Sequence, residues 1–168
     1  MWKPYFLNRG IEITVKVFVV DDSAVVRQAL AHMLAGNPDV ELIGSAPNPL
    51  LPMEMVRKNP PYVLLLDIKM MGLDGLTFLR QIMSGTPIPT VICSTLSKEG
   101  SKVALEALEA GALAVLAKLI LRSCCGWATC EPAQTFCGRF VQICSGMRGP
   151  RRLGNHFDWQ WGTTVRVA

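Results

Sequence analysis

The 168-residue chain has no uninterrupted apolar run approaching the ~18 residues that a membrane-spanning helix needs. Its start, Met1-Trp2-Lys3-Pro4-Tyr5-Phe6-Leu7-Asn8-Arg9-Gly10, lacks the longer apolar stretch and cleavage site of a secretory leader, so a cytoplasmic location is the expectation. Charge is scarce, at 18% of residues against 50% hydrophobic, which argues against disorder and for a packed core. Lysine is absent after Lys118, and Cys93 is the only cysteine before that point. No Cys-x-x-Cys pair occurs, so Cys124, Cys125, Cys130, Cys137 and Cys144 with His156 do not match usual metal spacings. Disulfides are not expected in a reducing compartment. No helix-turn-helix pattern accompanies Arg148, Arg151 and Arg152, which read as a short basic loop rather than a nucleic-acid patch.

The net charge of +4 is unevenly placed. Up to Lys118 the chain carries 11 Lys+Arg and 11 Asp+Glu; beyond it stand six Arg, Glu131 and Asp158. Five of six cysteines and three of four tryptophans also lie beyond. This change of composition sets a boundary at Lys118/Leu119. Residues 11–118 are expected to form one domain, and 119–168 an atypical Cys-, Trp- and Arg-rich tail, poorly ordered or a weak substitute for a last helix.

Within residues 11–118, strand and helix patterns alternate. Strands are expected over Thr14–Val20, Val40–Ser45, Tyr62–Asp67, Thr90–Ser94 and Leu113–Lys118. Between them, Asp22 or Ser23 can cap a helix to about Ala35, with Val26, Leu30, Met33 and Leu34 on its buried face. Gly36-Asn37-Pro38 stops it. A second helix fits Pro49 to about Lys58, ended by Pro60-Pro61. Gly72-Leu73-Asp74-Gly75 reads as a turn before a helix from Leu76 to Met83, with Leu76, Leu79 and Ile82 inward. A further helix runs from about Ser101 to Ala110 and ends at Gly111. This alternation predicts an α/β fold: a flavodoxin-like, doubly wound five-stranded parallel sheet of order 2-1-3-4-5. In the tail, Thr129–Met147 is a weak helix candidate, with Phe136, Phe140, Val141, Cys144 and Met147 roughly on one side. Gly138 and Gly146 each weaken it by ~1 kcal/mol. From Arg148 onward no periodicity is visible.

The strands end in polar groups. Val17-Phe18-Val19-Val20 leads into Asp21 and Asp22, Tyr62-Val63-Leu64-Leu65-Leu66 into Asp67, Val91-Ile92-Cys93 into Ser94 and Thr95, and Leu113–Ala117 into Lys118. In open α/β sheets the C-terminal edge of the strands is where ligands bind. Three neighbouring carboxylates repel one another, a conflict that Mg²⁺ removes, since it takes carboxylate and phosphate oxygens in an octahedral shell. A carboxylate can itself be a nucleophile toward phosphorus, and Asp67, single and at the end of the most apolar strand, is placed for that role. Lys118 then offers a cation to the phosphoryl oxygens and Ser94 a hydroxyl, with Thr95 the alternative hydroxyl.

Segments Val19-Val20-Asp21-Asp22-Ser23-Ala24-Val25-Val26-Arg27, Asp74-Gly75-Leu76-Thr77-Phe78-Leu79 and Val91-Ile92-Cys93-Ser94-Thr95-Leu96-Ser97 carry a resemblance. Val17 to Lys118 resembles the receiver domains of two-component response regulators, and among them the receiver half of the chemotaxis protein-glutamate methylesterase. The resemblance implies that Asp67 is the phosphoacceptor, Asp22 a direct Mg²⁺ ligand, Asp21 a ligand through water, and the Lys69 carbonyl a further ligand. Ser94 would be the switch hydroxyl, Lys118 the phosphate-pairing lysine, and a phosphohistidine on a chemotaxis histidine kinase the donor. No membrane or nucleic-acid partner is implied.

Departures are local. Leu119 follows Lys118 where the family usually has proline, so a trans bond is expected there and the reach of Lys118 becomes the open point. Val115 replaces an aromatic, and Met71 a proline. Residues 119–168 do not resemble the methylesterase half with its Ser-His-Asp site, so no esterase activity is expected of this chain. The alternative expectation is a truncated or frameshifted fragment of a methylesterase, because the composition changes just where the motif pattern fails.

Overall fold

The computed structural model describes residues 14–48, 61–70, 73–85, 87–94, 98–118, 131–145, 151–153 and 156–158. Five parallel strands form the sheet: β1 (Val15–Val20), β2 (Val40–Ala46), β3 (Val63–Asp67), β4 (Thr90–Ser94) and β5 (Ala114–Ala117). Their spatial order is β2-β1-β3-β4-β5, the expected one. Four described helices accompany them: α1 (Ala24–Ala35), α2 (Gly75–Ser84), α3 (Lys98–Glu109) and α4 (Glu131–Ser145). The helix expected from Pro49 to Lys58 lies outside the described residues.

Alternation along the strands divides the core between the two faces. Val17 and Val19 of β1, with Leu65, Val91 and Cys93, meet Leu30, Met33 and Leu34 of α1 and Phe136, Phe140 and Cys144 of α4. Phe18 and Val20, with Leu64, Leu66 and Ile92, meet Leu76, Phe78, Leu79 and Ile82 of α2 and Ala107 of α3. All five residues of β3 are buried, which is why that strand reads as an unbroken apolar run rather than an alternating one.

Local chemistry sets the helix ends. The Ser23 hydroxyl accepts from the Val26 amide at the start of α1, and the Asp74 carboxylate accepts from the Leu76 amide at the start of α2. After α3, Gly111 takes φ +104°, a left-handed conformation open to glycine, and the Ala112 amide closes back on the Ala107 carbonyl.

Three features differ from the sequence reading. The stretch expected to be a plain turn after β3 contains a small antiparallel ribbon, Lys69–Met70 with Leu73–Asp74. Helix α3 begins at Lys98 rather than near Ser101. Beyond Arg148, Arg151–Leu153 pairs antiparallel with His156–Asp158. Strands of two or three residues are too short to reveal a period of two. Helix α4 falls within the Thr129–Met147 stretch, and its Phe136 and Phe140 rings stack with centroids 6.4 Å apart.

Candidate functional site

The C-terminal ends of β1, β3 and β5 converge. β1 and β3 are neighbours, with Val20 in register with Leu66, so the residues that follow, Asp21 and Asp67, leave the sheet side by side. One carboxylate oxygen from each of Asp21, Asp22 and Asp67 lies within 4.8 Å of the others. Asp21 and Asp67 are buried and Asp22 is exposed, so the cluster opens to solvent on one side.

Two turns hold the buried acids alike. Asp21 Oδ1 accepts from the Ser23 amide at 2.9 Å, and Asp67 Oδ1 accepts from the Lys69 amide at 3.1 Å. Each Oδ2 then faces Lys118, whose Nζ lies 2.6 Å from Asp21 Oδ2 and 2.6 Å from Asp67 Oδ2. The contact to Asp67 is a hydrogen bond. That to Asp21 is an ion pair at the same distance, so the one ammonium is shared between two buried carboxylates. Lys118 therefore reaches the acids from the end of β5 and is itself buried.

Charge and burial oppose each other here. Burial pushes the Asp67 carboxyl above its ordinary value; the Lys118 hydrogen bond and charge pull it back only in part, and Asp21 adds to the rise. Burial alone would lower Lys118, but hydrogen bonding and attraction from Asp21 and Asp67 outweigh it and raise this amine above its ordinary value. Cys93, in register with Asp67, has its thiol pushed up to about 12 by burial, so it is a packing group rather than a nucleophile.

The donor set fits a hard divalent cation. Three carboxylates offer oxygens at close quarters, two of them buried with a single ammonium between them. Mg²⁺ favours oxygen ligands and keeps part of its water shell, as a site open on the Asp22 side allows. Ser94 ends β4 buried, one strand over from Asp67, and pairs with Ala117. Lys69 stands on the exposed ribbon, its amide already committed to Asp67. Thr95, Met71 and Leu119 lie outside the described residues, and Val115 packs partly buried against the α2 face of the sheet.

Arg27 of α1 was not among the candidates read from the sequence. Its Nη1 donates to the carbonyls of Asp21, at 2.6 Å, and Asp22, at 3.2 Å. The available signal was its place in the first turn of a helix, where a cation runs against the macrodipole.

Among the described residues, no helix is long and apolar enough to cross a membrane. A family model for the response regulator receiver domain matches residues 17–123. A protein-glutamate methylesterase/protein-glutamine glutaminase of Chromobacterium violaceum is 48% identical over 106 residues, 63% of this chain and 30% of that protein. One from Anaeromyxobacter dehalogenans is 53% identical over 104 residues, 62% of this chain and 29% of that protein. The chain thus spans about 30% of the length of these curated relatives. The crystal structure of the response regulator domain of Thermotoga maritima CheB superposes with a TM-score of 0.63 at 27% identity, covering 78% of this chain and 93% of that one. The receiver domain of a putative response regulator NarL from Mycobacterium tuberculosis shares the fold, with a TM-score of 0.63 at 22% identity. With the family model covering well over half of its length, the chain belongs to the response regulator receiver domain family.

Proposed function

We propose that Asp67 accepts a phosphoryl group from a phosphohistidine on a chemotaxis-type histidine kinase. The observation that carries this reading is the convergence of Asp21, Asp22 and Asp67 within 4.8 Å, with Lys118 Nζ 2.6 Å from Asp67 Oδ2. An Asp67 carboxylate oxygen attacks phosphorus in line. The P–N bond of the donor breaks, and the imidazole leaves with its electron pair and takes up a proton. The product is an acyl phosphate on Asp67. Burial disfavours the ionised Asp67 that must attack, and the hydrogen bond and charge of Lys118 offset part of that penalty. The Lys69 amide fixes one oxygen of Asp67 and so orients the other. Lys118 offers its ammonium to the phosphoryl oxygens, and the Ser94 hydroxyl donates to another. Mg²⁺, held by Asp21, Asp22, Asp67 and the Lys69 carbonyl, would supply charge neutralisation at those oxygens.

The domain assignment belongs to the same proposal: residues 11–118 are the phosphoacceptor unit, and 119–168 an atypical tail whose helix α4 substitutes for a last helix, with Phe136, Phe140 and Cys144 buried in the core shared with β1 and β3. A cytoplasmic location follows from the kinase donor. The place in chemotaxis is favoured by 48% identity to the Chromobacterium violaceum methylesterase/glutaminase over the matched segment. Phosphotransfer from a purified chemotaxis kinase tests that assignment, and a demethylation assay on a methyl-glutamyl receptor peptide tests for esterase activity, of which none is expected.

The central test is labelling with acetyl phosphate and Mg²⁺, read by intact mass and peptide mapping. One phosphoryl group on Asp67 is expected, and Asp67→Asn should abolish it. Persistent labelling in that variant would place the nucleophile elsewhere.

A further inference from the structure

Consecutive residues of a strand point to opposite faces, yet Asp21 and Asp22 both bring a carboxylate to the same cluster. The chain must therefore turn immediately after β1. That turn is short: Val20 is the last residue paired in the sheet, and α1 begins at Ala24. Such a turn has to place its backbone polar groups without a ladder or a helix to receive them. The Asp21 amide reaches the Ala46 carbonyl at the end of β2, at 3.1 Å. The Ser23 amide reaches Asp21 Oδ1, and the Ser23 carbonyl takes the first helical bond, from the Arg27 amide at 3.0 Å. The carbonyls of Asp21 and Asp22 remain, and both are taken by Arg27 Nη1.

Arg27 thus works twice on one turn. Its amide opens α1 on Ser23, and its partly buried guanidinium folds back over the two acids. Charge-assisted bonds to backbone carbonyls are stronger than neutral ones and restrain direction as well as distance. They offset the unfavourable placement of a cation in the first turn of a helix. The carbonyls of Asp21 and Asp22 belong to the peptides on the C-terminal side of each acid. Fixing them fixes the backbone from which both carboxylates project.

We propose that Arg27 is the positioning residue of the cation pocket: by gripping the Asp21 and Asp22 carbonyls it holds the two carboxylates in the pose that a divalent ion requires. This rests on the reading of Asp21, Asp22 and Asp67 as an Mg²⁺ site and deepens it. Arg27 touches neither the ion nor the phosphoryl group; it acts through the backbone of the ligands. Outer-shell groups that orient metal ligands typically change metal affinity by 10–100-fold when removed, and this backbone-mediated case belongs near ~10-fold.

The test is the Mg²⁺ dissociation constant of the full chain, measured by calorimetry with Mg²⁺ alone, for the wild type, Arg27→Met and Arg27→Lys. Melting curves in EDTA are recorded beside it. Positioning predicts about tenfold weaker binding in Arg27→Met. Arg27→Lys, which keeps a charged donor on a shorter stem, should also bind more weakly than the wild type, and it serves if the Met variant does not fold. The opposite sign follows if Arg27 matters only as a charge, because deleting a cation beside three carboxylates favours Mg²⁺. An unchanged dissociation constant with a lower melting temperature would mean that Arg27 supports only the fold. Either of those results overturns the assignment. Absence of Mg²⁺ binding by the wild type removes the pocket itself and the assignment with it, whereas wild-type binding with undiminished binding by both variants removes Arg27 alone.

Discussion

After β1 the chain turns within three residues into α1, whereas after β3 it makes a small antiparallel ribbon before α2 begins. Both connections start on an aspartate whose Oδ1 accepts from the amide two residues ahead, and both leave Oδ2 facing Lys118. The supports differ. The first turn is gripped by a side chain, Arg27. The second is held by backbone proximity: the Gly75 amide donates to the Ile68 carbonyl, and a Cβ on Gly75 would lie 2.5 Å from the Asp67 carbonyl oxygen and 2.7 Å from Ile68 Cα. A side-chain grip can be cut without a clash. A backbone approach tolerates no added atom. The turn carrying the proposed nucleophile has the stiffer support.

The comparison breaks most severely at the group both turns share. Lys118→Met leaves two buried carboxylates without their ammonium, and removing one partner of a buried ion pair typically costs about 3–5 kcal/mol. Urea unfolding in EDTA should show a loss of that size, and Mg²⁺ should restore part of it by supplying the missing charge. A variant as stable as the wild type without metal would mean that Lys118 does not neutralise the cluster.

Gly75→Ala should act on the β3 side alone. The obstructing atoms are backbone, so the clash has to move the ribbon or the start of α2, at a cost of about 1–3 kcal/mol by analogy with overpacked cores. Acetyl phosphate labelling of Asp67 should slow further than stability alone explains, because the Lys69 amide shifts with the ribbon. An unperturbed melting temperature and labelling rate would show that the close approach is not needed.

Titration separates the shared lysine from Asp67 by a smaller effect. Lys118 is raised, so its contribution to stability is complete below its ordinary value of 10.5 and is lost as pH rises through the higher value it has in the fold. Asp67 is raised too, and for a carboxylate the sign reverses. The folded protein holds that proton more tightly than the unfolded chain, so ionised Asp67 subtracts stability, and the deficit vanishes as pH falls through the folded value toward 3.8. In EDTA, Asp67→Asn should therefore be more stable than the wild type at neutral pH, and the gap should close on acidification toward 3.8. Urea midpoints across pH measure this; a less stable Asn variant at neutral pH would contradict it.

Much of this architecture is legible in the sequence because it follows from long patterns. The buried run Val63–Leu66 ending in Asp67, and Leu76, Leu79 and Ile82 at helical spacing, state period and burial directly. Regular β-α alternation then leaves few topologies, and the observed order is among them. What stays hidden is short or non-local. The ribbon of Lys69–Met70 with Leu73–Asp74 has two residues per strand, too few for a period. The Val17/Phe18 register shift against β2 depends on a partner strand some two dozen residues away. The grip of Arg27 is a matter of rotamer, and only its awkward position on α1 hints at it. The contact of Lys118 with both acids joins the ends of strands that lie far apart in the sequence.

The pocket itself is most directly tested by the melting temperature of the full chain as Mg²⁺ is added. Binding to the folded acids alone should stabilise by about 1.4 kcal/mol at ten times the dissociation constant, which raises the melting temperature by roughly 3–5 °C for a chain of this size. Asp67→Asn should lose most of that rise. A melting temperature indifferent to millimolar Mg²⁺, or one that rises equally in Asp67→Asn, would contradict a shared cation pocket built from Asp21, Asp22 and Asp67.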